Sequence, residues 1–171
     1  MDAPPLLSRP ETTGAVTRGA ARLLVELGLA PLAEVTLPNG RRADLMALDG
    51  KGRIVIVEVK SSLEDYRTDQ KWGEYAPFCD GFYFAVAPHF PREILPIGPG
   101  LIVADGFGGA VLIEAPLIPL APARRKALTL GFARMAATRA MGAQAVGGHE
   151  LVWTDLIGGD GGDRHQAPGG L

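Results

Sequence analysis

The chain has 171 residues, of which 47% are hydrophobic, and its formal net charge is −2, which suits one compact domain. This charge excludes a global basic field, so a polyanionic partner would have to be bound by local patches. The single cysteine, Cys79, excludes an internal disulfide, and no stretch reaches the roughly 20 apolar residues of a membrane-spanning helix. Because the start at Met1 also lacks a signal-peptide pattern, we expect a cytoplasmic protein with no membrane association.

The first predicted element is an amphipathic helix. Residues 1–12 contain several prolines and are expected to be flexible. Beyond them Val16, Ala20 and Leu23 recur at helical spacing. Gly28 is placed to end the helix in a left-handed conformation, and Pro31 prevents its continuation.

Three strands joined by short loops are predicted next. They are "AEVTLP" (33–38), "RADLMAL" (42–48) and "RIVIVEVK" (53–60), separated by turns at Asn39-Gly40 and around Gly50. Short connections between strands favour antiparallel neighbours, so the sequence predicts a meander.

A second helix and further strands complete the predicted domain, which we assign to residues 13–142. Ser62 is placed to cap a helix that runs to about Ala76, and "GFYFAVA" (81–87) reads as a strand parallel to the third. Two apolar runs, 101–106 and 110–115, predict an edge hairpin, and Pro122 begins a long helix ending near Gly142. Residues 143–171 are rich in Gly and are expected to form a flexible tail.

The third strand carries two charges at the end of an apolar run. Side chains alternate along a strand, so Ile54, Ile56, Glu58 and Lys60 share one face. Because an unpaired buried charge costs several kcal/mol, this carboxylate and ammonium need each other, a metal or a substrate. Asp44 on the preceding strand could bring a second carboxylate to the same place.

Two carboxylates and a strand carbonyl, that of Val59, form a hard oxygen site suited to Mg²⁺ or Mn²⁺. Such an ion could bind a phosphodiester oxygen and lower the pKa of an attacking water. The alternative is a purely structural role: an edge ion pair between Glu58 and Lys60 worth under about 1 kcal/mol, with Asp44 capping a turn.

Asp44 followed by Glu58-Val59-Lys60 at the end of a hydrophobic strand resembles the PD-(D/E)XK nuclease superfamily. The resemblance implies an α/β, restriction endonuclease-like fold: an α-β-β-β-α-β core with a mixed sheet, here with an extra edge hairpin and C-terminal helix. One departure is that Ala43 stands where the superfamily motif has proline. Within the superfamily, "RRADLMALDGKGRIVIVEVKSSLEDYRTDQKW" is similar to the MmcB-like DNA repair family, whose nuclease activity is itself only inferred.

The resemblance also implies roles for residues outside the strand motif. Glu26 on the first helix is the candidate third acid, although an i,i+4 pair with Arg22 is an ordinary surface feature. Gln70 is the candidate polar supporter of the catalytic set. A tyrosine four residues after this glutamine would match some relatives, but Glu74 stands there and Tyr75 follows. The candidate DNA contacts are Ser62, Arg67, Lys71, Arg41 and Arg42.

Together with these residues, the resemblance implies a DNA repair protein that hydrolyses phosphodiester bonds with Mg²⁺. The alternative is a DNA-binding or scaffolding repair protein of the same fold that does not cleave, and a structural protein without a nucleic-acid role is a third. DNA is the expected partner, a repair protein is a further candidate, and the sequence leaves the oligomeric state open, a dimer included.

Overall fold

The computed structural model describes residues 8–68 and 71–145, which form helices and strands around one sheet. The α-helices are α1 (Arg9–Glu26), α2 (Leu63–Thr68) and α3 (Pro122–Ala145), and two 3-10 helices span Lys71–Phe78 and Arg92–Ile94. The strands are β1 (Leu29–Thr36), β2 (Arg42–Asp49), β3 (Ile54–Lys60), β4 (Gly81–Val86), β5 (Gly100–Ala104) and β6 (Gly109–Ile113).

The six strands form one mixed sheet in the order β1-β2-β3-β4-β5-β6. The first three pair antiparallel, β4 runs parallel to β3, and β5 runs parallel to β4. The edge strand β6 pairs antiparallel with β5, as the predicted hairpin requires. The order α-β-β-β-α-β and the mixed sheet therefore confirm the predicted fold class.

Each face of the sheet is covered by its own apolar cluster. On one face Val55, Val57 and Val59 pack with Val16, Leu23 and the rest of the α1 stripe. On the other face are Ile54 and Ile56, together with aromatic residues of β4 and the stripe of α3, which consists of Leu128, Phe132 and Met135. Because β3 is central and covered on both sides, all of its side chains are buried.

Helix α1 begins at Arg9, inside the segment expected to be flexible. The Glu11 carboxylate accepts hydrogen bonds from the backbone N–H of Ser8 at 2.8 Å and from its hydroxyl at 2.6 Å, and Pro10 lies in the first turn. This arrangement caps the start of the helix in the way a Ser/Glu capping box does. The other end matches the prediction, since Gly28 has a φ of +80°.

The prediction of one α-helix from Ser62 to about Ala76 is wrong. Helix α2 ends at Thr68, and the chain from Lys71 to Phe78 is a 3-10 helix that contains Pro77. Gly73 lies in this segment, and glycine in an α-helix interior is about 1 kcal/mol less favourable than alanine. A tighter, shorter helix is the common form for such a connecting segment.

Helix α3 is anchored at both ends. Near its start the Arg125 guanidinium contacts both carboxylate oxygens of Asp80 and donates to the carbonyl of Gly52 at 2.6 Å. Toward its end Arg139 donates to the carbonyls of Ala33 and Glu34 in β1. None of the helices in the described part of the chain is long and apolar enough to cross a membrane.

Candidate active site at the end of strands β2 and β3

The β2–β3 ladder stops one residue before the two acidic positions. Leu45 pairs with Val57 and Met46 with Ile56, a register that continues to place Asp44 opposite Glu58. At that point the Asp44 Oδ2 accepts a hydrogen bond from the backbone N–H of Val59 at 2.7 Å. A side chain thus substitutes for a ladder bond, and this contact holds the Asp44 carboxylate beside β3.

Glu58 and Lys60 are both buried on the same face of β3. The two residues expose 7% and 3% of their surface, and Lys60 Nζ lies 3.4 Å from Glu58 Oε1. The other oxygen, Oε2, is buried and has no hydrogen-bond partner in the structure. An unsatisfied buried carboxylate oxygen is costly and is a common mark of a functional site.

The Glu58 carboxyl is poised to hold a proton near neutral pH. Burial and the nearby charge of Asp44 raise its pKa from 4.5 to about 7, while the Lys60 ammonium and the Tyr75 hydroxyl act in the opposite direction. Desolvation and a second carboxylate both disfavour the ionised form. A cation placed between the two carboxylates would relieve both effects.

Tyr75 closes the site from the Lys71–Phe78 helix. Its hydroxyl donates to the carbonyl of Arg42 at 3.1 Å, which ties this helix to the start of β2. The ring is buried and stacks on Phe82 with the centroids 5.5 Å apart. The role of this tyrosine was in doubt from the sequence because it lies five positions after Gln70. The spacing along the chain does not show in which direction a 3-10 helix places the side chain.

The donor set fits a hard divalent ion that keeps several waters. Among residues 8–68 and 71–145 no group of three or more His, Cys, Asp or Glu side chains could hold a metal. Asp44, Glu58 and the Val59 carbonyl therefore remain the ligands to consider, and Mg²⁺ is often bound by only one or two protein carboxylates. The unpartnered Glu58 oxygen is the observation that favours a cation here.

The structure does not bring Glu26 to this pair. It is exposed in the last turn of α1, and this helix packs on the valine face of β3, whereas Glu58 lies on the other face. The chain leaving α1 enters β1 at Leu29, whose partner is Asp49. At about 3.3 Å per residue, Asp49 lies roughly 17 Å along β2 from Asp44.

The other candidate residues have differing surroundings. Gln70 lies outside the described residues. Ser62 directly precedes α2 and its carbonyl accepts the N–H of Tyr66 at 3.2 Å, while Arg67 is exposed one turn further on. Lys71, at the start of the 3-10 helix, is also exposed.

The two arginines at the start of β2 differ in their contacts. Arg41 forms an ion pair with Glu74 at 2.6 Å. The Arg42 side chain is exposed at the start of β2, the strand that holds Asp44. The arginines of α3 are occupied elsewhere. Arg124 donates to the Pro77 carbonyl at 3.2 Å, and Arg125 is paired with Asp80.

Asp80 is a polar residue that sequence reasoning missed. Its carboxylate accepts the backbone N–H of Ile54 at 2.7 Å and of Leu120 at 2.9 Å, besides the two bonds from Arg125. Burial alone would raise its pKa, but these donors outweigh it and hold the pKa below the usual range. The feature of the sequence that could have indicated this role is the position of Asp80 directly before a fully apolar strand.

The α-β-β-β-α-β order and the mixed sheet define an α/β domain of the restriction endonuclease-like class. A family model for "DNA repair protein MmcB-like" matches residues 3–147, and the chain belongs to this family. The resemblance proposed from the sequence is thereby confirmed. No curated protein matches the chain significantly.

Two solved structures are similar to this chain to different degrees. An SPO1766 protein of unknown function from Silicibacter pomeroyi is 39% identical, with a TM-score of 0.76, over 82% of this chain and 96% of that one. A repair endonuclease from Pyrococcus abyssi is 18% identical with a TM-score of 0.32, over 53% of this chain and 42% of that one. The first match supports the fold described above; the second is too distant to carry an argument.

Proposed function

We propose that this protein is a Mg²⁺-dependent deoxyribonuclease that acts in DNA repair by hydrolysing phosphodiester bonds. One observation carries the proposal. Glu58 has a buried, unpartnered oxygen beside Asp44, an arrangement that is unfavourable for folding alone but suits a bound cation.

Asp44, Glu58 and the Val59 carbonyl would hold the ion. When bound, Mg²⁺ or Mn²⁺ would stabilise the negative charge that develops on the phosphoryl oxygens. Lys60 lies beside Glu58 and brings a fixed positive charge, which lowers the energy of the same charged transition state. Tyr75 supports the start of β2 and thereby the position of Asp44.

A DNA-binding repair protein that does not cleave is the second candidate. It is favoured by the absence of a third carboxylate beside Asp44 and Glu58 in the described part of the chain. Under this alternative the same residues would bind a metal and a phosphate, and the substrate would be released unchanged.

The decisive experiment compares the parent protein with Glu58→Ala on single-stranded, nicked, flapped and branched DNA in Mg²⁺ or Mn²⁺. We expect cleavage by the parent that falls at least about 10²-fold in Glu58→Ala and stops with chelator. Glu26→Ala is the matched control, because it removes an exposed carboxylate in the last turn of α1, away from Asp44 and Glu58, and should leave the rate unchanged.

A parallel binding measurement separates the two candidates. Asp44→Ala removes a charge that repels phosphate, and Glu58→Ala removes one at pH values above its pKa of about 7, so DNA affinity without metal should be retained or increase. Lys60→Ala should weaken binding slightly and reduce the cleavage rate. Binding without cleavage on every substrate would favour the second candidate, and absence of both would refute the two together.

A further inference from the structure

The turn between β5 and β6 displays an aromatic side chain to solvent. Phe107 is 87% exposed, and no other Phe, Tyr or Trp in the described ranges is exposed. A single exposed apolar residue needs no explanation by itself. What distinguishes Phe107 is that the turn around it is rigidly built and lies beside exposed cations.

Hydrogen bonds within the turn hold Phe107 at its tip. The Asp105 carboxylate accepts the backbone N–H of Phe107 at 2.8 Å and of Gly108 at 3.1 Å. The N–H of Asp105 in turn donates to the Gly108 carbonyl at 2.9 Å. With its own backbone fixed in this way, the turn presents the ring with little loss of backbone entropy on binding.

The turn is also fastened to helix α1. A side chain at Gly19 would overlap the carbonyl oxygens of Asp105 and Gly108, so the turn rests directly on the helix backbone. One helical turn away, Arg22 donates through Nη1 to the Phe107 carbonyl at 3.0 Å. These contacts keep the aromatic ring outside the apolar core.

The turn follows the last residue of β5, at the same end of the strands as the candidate active site. In the parallel register Lys60 pairs with Val86, and Val86 pairs with Val103, so β3 and β5 end at one level. At about 4.8 Å per strand, β5 lies about 10 Å across the sheet from β3. The turn and Glu58 therefore lie at the same end of the strands, with the turn on the face that α1 covers and Glu58 on the other face.

Two exposed arginines stand on α1 beside the turn. Arg22 contacts the turn through the Phe107 carbonyl, and Arg18, one helical turn earlier in α1, is exposed with its guanidinium near Gly14. An exposed ring next to guanidinium groups is the combination with which proteins bind unpaired nucleic acid. The ring stacks on a base and the cations contact the backbone phosphates.

We propose that Phe107, Arg18 and Arg22 form a contact site for an unpaired nucleobase and its flanking phosphates. The site directs the protein toward DNA that contains single-stranded segments rather than intact duplex. This inference rests on the DNA-binding part of the proposed function and does not depend on cleavage.

The test measures fluorescence anisotropy of a labelled single-stranded oligothymidine and of a blunt hairpin duplex, in chelator so that no cleavage occurs. Phe107→Ala should weaken binding to the oligothymidine about 5- to 150-fold, the loss expected for one stacked base, and change duplex binding much less. Phe107→Trp retains a stacking surface and should bind like the parent. Arg18→Ala should reduce the salt dependence of the affinity by about 0.7 in the log–log slope.

Ile97→Ala is the matched control, because Ile97 is fully exposed in the loop before β5, at the opposite end of the strands. It should bind both DNAs like the parent. Unchanged oligothymidine binding by Phe107→Ala, an equal loss in Ile97→Ala, or no binding by the parent would each overturn the inference. Cleavage is scored separately, so a protein that binds through Phe107 but cleaves nothing would refute the nuclease proposal alone.

Discussion

Glu58 is buried at the end of β3, and Asp44 adds a like charge beside it, so its ionised form is less favourable in the folded than in the unfolded chain. Since its folded pKa is raised, the stability it contributes is complete below the unfolded value of 4.5. It is lost as the pH rises through about 7. Stability and the proposed metal binding therefore make opposite demands on this one residue.

This conflict predicts a pH-dependent difference between the parent and Glu58→Gln. Glutamine resembles the protonated acid and cannot ionise, so the unfolding free energy of the variant relative to the parent should rise by about 2–3 kcal/mol between pH 5 and pH 8. Urea unfolding in chelator measures this difference. A difference that stays constant between pH 5 and pH 8 would contradict the explanation.

Asp80 shows the reverse case at the same scale. Its pKa is lowered, because donors from Arg125 and two backbone N–H groups outweigh burial, so its contribution to stability is present above the unfolded pKa of 3.8 and is lost as the pH falls through the folded one. Removing the carboxylate takes this acceptor from the backbone N–H groups of Ile54 and Leu120 and leaves Arg125 with the Gly52 carbonyl.

We therefore expect Asp80→Ala to lower the free energy of unfolding by about 3 kcal/mol at neutral pH, and by less in acid. Chemical denaturation at pH 7 and below pH 4 tests both parts. Glu64→Ala is the contrasting variant, because its ion pair with Arg9 is exposed on both sides and should be worth under about 1 kcal/mol. Equal losses in the two variants would contradict the distinction drawn from burial.

At the scale of elements, helix α1 packs both on β3 and against the turn between β5 and β6. Its apolar stripe covers the valine face of β3, and its glycine at position 19 allows the β5–β6 turn to approach closely. The same helix contains Gly14, where an added Cβ would meet only the flexible end of Arg18 at 3.2 Å. The two glycines share a helical backbone but differ in what surrounds them.

These two positions should respond to alanine with opposite signs. Gly14→Ala should stabilise the protein by about 0.5–1 kcal/mol, because alanine loses less backbone entropy in a helix. Gly19→Ala should destabilise it by about 1–3 kcal/mol, because the turn must move away from the helix. Thermal unfolding of both variants decides the point, and stabilisation by Gly19→Ala would show that the close approach is not required.

For the whole molecule, the distribution of charge matters more than its total. The net charge of −2 offers DNA no general attraction, so binding must depend on cations near the candidate site. Arg42 and Arg67 are exposed at the edge where β2 begins and β3 ends. Lys126 is exposed near the start of α3, beside Arg125, which contacts Gly52 at the other end of β3.

The salt dependence of DNA binding should therefore distinguish these positions. Arg42→Ala and Arg67→Ala should each reduce the slope of log affinity against log salt by about 0.7–0.9, whereas Lys126→Ala should leave it unchanged. A salt titration of affinity for one DNA measures all three. An equal reduction in Lys126→Ala would mean that the DNA does not lie along the edge holding Asp44 and Glu58.

Local features of the sequence determined most of the fold. Alternation in β3 placed Glu58 and Lys60 on one face, short turns favoured the antiparallel meander, and Gly28 and Pro122 marked helix ends. These predictions succeeded because each depends on neighbours within a few residues, where periodicity and backbone preference act directly. The early start of α1 was missed although its Ser8 and Glu11 capping pair was present in the sequence.

Only the tertiary structure decided which residues meet. Alternation cannot show that the β2–β3 ladder ends so that Asp44 bonds to Val59, that the Tyr75 hydroxyl bonds to the Arg42 carbonyl, or that Glu26 lies on the far side of the sheet. Nor could it separate Arg125, which is bound to Asp80, from the exposed Lys126. The physical reason is that burial, pKa and the display of Phe107 depend on contacts between distant segments, and the spacing of residues along the chain does not encode those contacts.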